Sequence, residues 1–279
     1  MMSKRRGQGL LVGSLVSIAA IVGVIALVGY LVAGVLGGQD WNRSQRLPIH
    51  DDVPPRAATP APEMDLAAGG RTALQLHAWA QAGSEDLGIP VQALMAYGQG
   101  EVYARYNLPD CNLTWNTLAA IGFVETHHGA YNGKGYGHTE LDDRGNVVGT
   151  SRGDGSGTIV GPQLNGDGFA EVGDTDDGTL DGDKDFDRAV GPMQFIPEAW
   201  RMYGADMGGG SPIRDYTGNP QNIDDAAVAA ARLLCSHERD LSTPEGWTSA
   251  VRGYNQSNEY MLNVRDAAAN YALGQRAHG

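Results

Sequence analysis

From Leu10 to Leu36 the chain runs without a single charged residue, and Lys4, Arg5 and Arg6 stand just before that run. About 20 apolar residues in a helix cross a bilayer core. A cleavable signal has an apolar core of only about 7–15 residues, so an uncleaved anchor is the expectation and a cleaved signal the alternative. The basic cluster should stay cytoplasmic, which sends everything after Gly38 outside. This sets the expected organisation: a basic N-terminus at 1–9, a transmembrane helix at 10–36 and an extracytoplasmic remainder. No Cys lies near the end of the run, which argues against a lipoprotein anchor.

Residues 37–70 read as a Pro/Ala-rich linker, with Val53-Pro54-Pro55 and Thr59-Pro60-Ala61-Pro62. Such composition favours extended, semi-rigid chain and suggests a tether. From Arg71 the pattern turns helical. Leu74, Leu76, His77, Trp79 and Ala80 predict a helix ending near Gly83. Pro90 suits the first turn of a second, and a third follows Asn112-Leu113-Thr114 and ends at Gly129. Later helices are expected at Pro197–Tyr203, Ile223–Leu234, Thr243–Tyr254 and Asn258–Ala272. The body thus spans 71–273, leaving a short tail at 274–279.

A long acidic, Gly/Asp-rich insert at about 131–189 interrupts this body. Thr139 to Asp187 carries thirteen acidic and three basic residues, so it supplies ten of the thirteen net negative charges. The rest of the chain is nearly neutral. The net charge of −13 argues against nucleic acid as a partner, since phosphate neutralisation needs clustered Lys and Arg. With little apolar surface and many like charges, the insert is expected to be weakly structured. On that reading Asp142–Glu171 is dispensable for the fold, while Leu180–Arg188 is needed.

Oxygen-rich loops suit Ca²⁺, and Asp181, Asp183 and Asp185 are the candidates for an irregular cation site. An EF-hand frame from Asp181 fails, because Phe186 takes the place of the required Gly and Pro192 that of the bidentate Glu. No metal ligand set is therefore assigned. His127-His128 lacks the partner cluster that zinc requires. Cys111 and Cys235 both lie in the expected exported part, where thiols oxidise. A disulfide between them is expected, with two buried thiols as the alternative.

Three motifs carry candidate chemistry. In Ile121-Gly122-Phe123-Val124-Glu125-Thr126-His127-His128-Gly129 a carboxylate ends an apolar helix, where burial can raise its pKa. A carboxyl group kept protonated near neutral pH can serve as a general acid. In Gly191-Pro192-Met193-Gln194-Phe195-Ile196-Pro197 one amide sits in a stiff apolar turn. Gln194 there can bind a sugar hydroxyl or cap its own backbone. Tyr254-Asn255 stands at an expected helix end. Singly, each motif is ordinary.

In this order they resemble the lytic murein transglycosylases, above all the membrane-bound MltB-like group of high-GC Gram-positive bacteria. Gly88-Ile89-Pro90, Ala96-Tyr97, Pro109-Asp110-Cys111, Leu113-Thr114-Trp115, Leu180-Asp181-Gly182-Asp183 and Asp187-Arg188-Ala189-Val190 extend the likeness over 71–271. The resemblance implies a mainly α, lysozyme-like α+β catalytic domain. It implies cleavage of peptidoglycan glycan strands between N-acetylmuramic acid and N-acetylglucosamine, leaving 1,6-anhydromuramyl ends. It makes Glu125 the single acid/base and places Thr126, Met193, Gln194, Phe195, Tyr254 and Asn255 in the substrate site. Thr126 departs from the usual Ser of the family but keeps a hydroxyl. No cofactor is implied, Ca²⁺ being the one candidate, and the expected location is the cell membrane with the domain facing the wall. Two rivals remain at this point. One is a hydrolytic muramidase with Asp142, Asp143 or Asp187 as second carboxylate; the other is a wall-binding protein without turnover.

Overall fold

Every helix of the body starts or stops at a local signal that backbone geometry requires. In a computed structural model of the chain, residues 47–130, 138–150, 157–167, 171–208 and 216–278 are described. The basic N-terminus, the apolar run 10–36 and the start of the linker lie outside them. Among the described residues no helix is long and apolar enough to cross a membrane.

The described residues include seven α-helices: α1 (His77–Leu87), α2 (Val91–Asn107), α3 (Trp115–Thr126), α4 (Pro197–Tyr203), α5 (Ile223–Leu234), α6 (Pro244–Tyr254) and α7 (Asn258–Ala272). Pro90 directly precedes α2, and Pro197 and Pro244 occupy the first turns of α4 and α6, where a missing N–H costs nothing. Asn222, Thr243 and Ser257 accept backbone N–H groups at the starts of α5, α6 and α7. The first predicted helix runs on through Gly83 to Leu87 and stops at Gly88, whose φ of 67° makes the left-handed cap.

Helix α2 is the centre. It packs on α1, α3 and α5, while α3 lies along α7. In α5, Ala226, Ala227, Ala229, Ala230 and Ala231 are fully buried, and such small side chains permit close helix approach. Cys111 and Cys235 form a disulfide, joining the turn after α2 to the end of α5.

Two expectations fail. The first is a free tether over the whole of 37–70. Ala58, Ala61 and Met64 are buried in the core cluster. Extended Pro-rich chain cannot pair its own backbone groups, so helix side chains do it. Asn116 accepts from Ala58 N–H at 3.1 Å and donates to the Arg56 carbonyl at 3.1 Å. Glu101 accepts from Ala61 N–H at 2.7 Å, and Trp115 Nε1 donates to the Thr59 carbonyl at 2.9 Å. The later part of the linker is a strap across the helices.

The second is the weakly structured insert. Strands β1 (His138–Leu141) and β2 (Val147–Thr150) form an antiparallel hairpin, with Leu141 opposite Val147. Strand β3 (Val160–Gln163) pairs antiparallel with β4 (Arg188–Val190). The β1–β2 turn is closed by Asp142, which accepts from Arg144 and Asn146 N–H groups. It also docks on the start of α5: Ile223 N–H donates to the Gly145 carbonyl and Asn222 Nδ2 to Asn146 Oδ1. Arg71 donates to the Asp143 carbonyl at 2.7 Å and forms a buried ion pair with Asp224 at 2.5 Å. The insert lacks apolar surface, but its carboxylates and carbonyls supply the acceptors that order it. The described parts of Asp142–Glu171, residues 142–150 and 157–167, thus belong to the fold, contrary to the expectation from composition.

Candidate active site

Glu125 sits in the last turn of α3, on a helix that cannot continue. His127, His128 and Gly129 follow with φ of 52°, 65° and 81°. Three successive left-handed residues reverse the chain, and two of them bear side chains, so the surroundings must hold them there. His128 does this from inside. It is buried, its Nδ1 lies 3.1 Å from the Tyr97 hydroxyl and its Nε2 2.9 Å from that of Tyr271. Burial pushes its pKa down to about 3, so the ring is neutral at physiological pH. Gly122, one turn before Glu125, is required for space: a Cβ there would stand 2.0 Å from the Tyr97 hydroxyl oxygen.

Thr126 links the first motif to the second. Its hydroxyl donates to the Pro192 carbonyl at 2.5 Å and accepts from Gly129 N–H at 2.9 Å. The side chain is 1% exposed, so it braces the site from behind instead of reaching into it. This differs from the substrate contact expected of it.

The Gly191–Gln194 segment is a tight loop between Val190 and Phe195, which exchange backbone hydrogen bonds at 2.8 and 3.0 Å. Gly191 takes φ of 77°, and a Cβ would fall 1.8 Å from the Pro220 carbonyl oxygen, so only glycine fits. Gln194 has φ of 50° and turns its amide back, donating to the Gly191 carbonyl at 3.0 Å. Of its two sequence readings, the structure shows the capping one. Met193 and Phe195 are buried. They form the floor of the turn, not an accessible wall.

The third motif closes the arrangement. The Tyr254 hydroxyl donates to the Met193 carbonyl at 2.7 Å, and its ring stands 5.8 Å from that of Phe195. Asn255 is exposed, and its side chain accepts from Ser257 N–H at 2.9 Å. It shapes the turn between α6 and α7.

That turn delivers a residue the motifs do not include. Tyr260, in the first turn of α7, donates its hydroxyl to Glu125 Oε1 at 2.6 Å. A signal for it existed. Tyr260, Val264, Ala267, Ala268 and Tyr271 form one helical stripe, and buried tyrosine hydroxyls need partners. Tyr260 and Tyr271 grip α3 on either side of its end, one through Glu125 and the other through His128.

Electrostatics follow from this enclosure. Burial raises the Glu125 pKa to about 7, and the Tyr260 donation partly offsets it. Burial and the Glu125 charge push the Tyr254 and Tyr260 hydroxyls well above the ordinary phenol range, so both remain donors. Glu125 can therefore give a proton and take one back near neutral pH. The other carboxylates considered are Asp142, Asp143 and Asp187, of which Asp143 is exposed. Asp142 closes its own turn, and buried Asp187 accepts from Thr175 N–H and Oγ1 at 2.9 and 2.8 Å.

The candidate cation residues do not share one point. Asp181 accepts from Asp183 and Arg188 N–H groups, and Asp183 pairs with Arg188 at 2.7 Å. Asp185 is exposed. No protein-family model, curated protein or solved structure matches the chain.

Proposed function

We propose that this chain is a peptidoglycan lytic transglycosylase of the lysozyme-like class, with Glu125 as its acid and base. The observation that carries the proposal is one half-buried carboxyl group, of pKa about 7, at the point where three motifs from distant parts of the chain meet. Support also comes from the resemblance of those motifs, in their order, to the family.

In this reading Glu125 protonates the oxygen bridging N-acetylmuramic acid to N-acetylglucosamine. The substrate's 2-acetamido group assists the developing oxocarbenium. Glu125, now ionised, deprotonates the muramyl 6-hydroxyl, which closes the 1,6-anhydro ring without consuming water. Tyr260 holds the carboxyl group in one rotamer and stabilises its ionised form between the two steps. General acid catalysis of this type contributes about 10²–10⁴-fold. The anchor and the exported location belong to the same proposal. They rest on the apolar run and on the disulfide, a bond characteristic of oxidising compartments.

The test is digestion of purified cell wall with mass spectrometry of the products. The protein is expected to release 1,6-anhydromuramyl ends, with a rate that falls as pH rises through about 7 because Glu125 must start protonated. Glu125→Gln should lose at least about 10²-fold in rate while still binding wall. Reducing ends in place of anhydro ends would make it a muramidase. Binding with no cleavage would make it a wall-binding protein.

A further inference from the structure

Away from Glu125, the insert brings three carboxylates together. One oxygen each from Asp174, Asp176 and Asp187 lies within 4.8 Å of the others. Acidic clusters are common in loops, so what each oxygen touches decides the matter. Asp174 accepts from the N–H groups of Asp176, Asp177 and Gly178. Asp187 has no exposed surface, and among the described residues its carboxylate accepts only from Thr175. Asp176 Oδ2 accepts from Leu180 N–H at 2.8 Å and from the Tyr216 hydroxyl at 3.1 Å. Asp176 Oδ1 is shut off from solvent and accepts no hydrogen bond at all.

No cation among the described residues pairs with any of the three. Lys184 goes to Asp177 and Arg188 to Asp183. Arg201, on α4, spends its N–H groups on the Thr175 carbonyl at 2.9 Å and the Tyr216 hydroxyl at 3.5 Å. A solvent-excluded carboxylate oxygen with neither donor nor counter-charge is costly, and two more acids beside it add repulsion. A bound cation removes both costs.

We infer that Asp174, Asp176 and Asp187 hold one divalent cation of the Ca²⁺ class. The donors are all oxygen, which selects a hard ion over zinc or copper. Two oxygens each about 2.4 Å from one Ca²⁺ can be at most about 4.8 Å apart, which this cluster satisfies. Mg²⁺, with bonds of about 2.0–2.1 Å and a strict octahedron, fits an irregular loop less well. These are not the residues that sequence spacing suggested. The ion would be structural: Asp187 directly precedes β4, which leads into the Gly191 turn, so a cation here would fasten the insert to the strand that positions the turn. The inference is independent of the proposed reaction.

The test uses full-length protein in detergent, stripped with chelator, then titrated with CaCl₂ by calorimetry and followed by thermal unfolding. Saturable binding of one Ca²⁺ with a rise in Tm of several degrees is expected. Asp176→Asn should weaken binding at least tenfold, and Asp177→Asn, outside the cluster, should leave it unchanged. Because Asp187→Asn removes a buried group and can impair folding, Asp176→Asn is the deciding variant. No heat and no shift in the parent protein would overturn the site. So would undiminished binding in Asp176→Asn, or an equal response to Mg²⁺ and Ca²⁺ shared by both variants, which marks general charge screening.

Discussion

The helical half and the acidic insert reach order by opposite means. Around α2 the chain is held by apolar burial, and Ala93, Leu94, Met95, Ala96, Tyr97 and Val102 have essentially no exposed surface. Between Leu164 and Val190 there is little to bury. There, carboxylates accept backbone N–H groups, as Asp174, Asp181 and Asp183 each do more than once. The lesson is that low hydrophobicity does not imply absence of structure when a segment carries its own acceptors at turn positions.

The same contrast extends to pH. In the helical half Glu101, Glu125 and Asp225 are each raised by burial to a pKa of about 7. The fold there favours the protonated carboxyl, so stability is lost as pH rises from the unfolded value toward 7. In the insert Asp183 is held well below the usual carboxylate value: its enclosure raises the pKa, but two N–H groups, Gln163 and Arg188 together lower it more. Asp174 is lowered mainly by the Asp176 N–H. Stability from these is present above the unfolded value and lost as pH falls. Asp181, more enclosed than either, runs the other way.

The largest test of the comparison is removal of residues 142–171. If the insert is part of the fold, no cooperatively unfolding protein should remain, as judged by near-UV circular dichroism and thermal scans. A folded product would return the insert to the status of an appendage. Arg71→Ala acts at the seam between the regions. It leaves Asp224, with no exposed surface, as an unpaired buried charge, and should cost about 3–5 kcal/mol in urea unfolding at pH 7.

Hydrogen exchange sharpens the contrast without any substitution. Lowering pH from 6 to 3 should loosen amides of residues 171–187 first, while α2 and α5 keep their protection. Loss in the helices first would reverse the assignment of forces. The smallest effect belongs to Glu101→Gln. It should stabilise by about 1–3 kcal/mol at pH 8, where the native Glu101 is ionised inside the core, and by nothing measurable at pH 4. An equal gain at both values would mean that burial does not govern this group.

The start and end of most helices were legible in the chain, because their signals act over a few residues. Pro90, Pro197 and Pro244 set helix starts through a fixed φ, whereas the end expected near Gly83 falls at Gly88, where φ is positive. Motif order and the two cysteines were legible for the same reason, since each can be read without knowing what lies beside it. Composition misled at the strap and at the insert. Whether Ala61 or the turn at Asp142 is ordered depends on Glu101, 40 residues from Ala61, and on Asn222, 76 residues from the Asn146 of that turn. The burial of Glu125 and the stripe that holds Tyr260 could be read from the chain, but not that the two meet. Tyr260 is 135 residues along the chain and Tyr271 is 143 from His128. Only the packing of α7 along α3 brings those hydroxyls to Glu125 and to the ring that holds its helix end. Local dihedral preferences act on neighbours, and a pKa is set by whatever the fold places within a few ångströms.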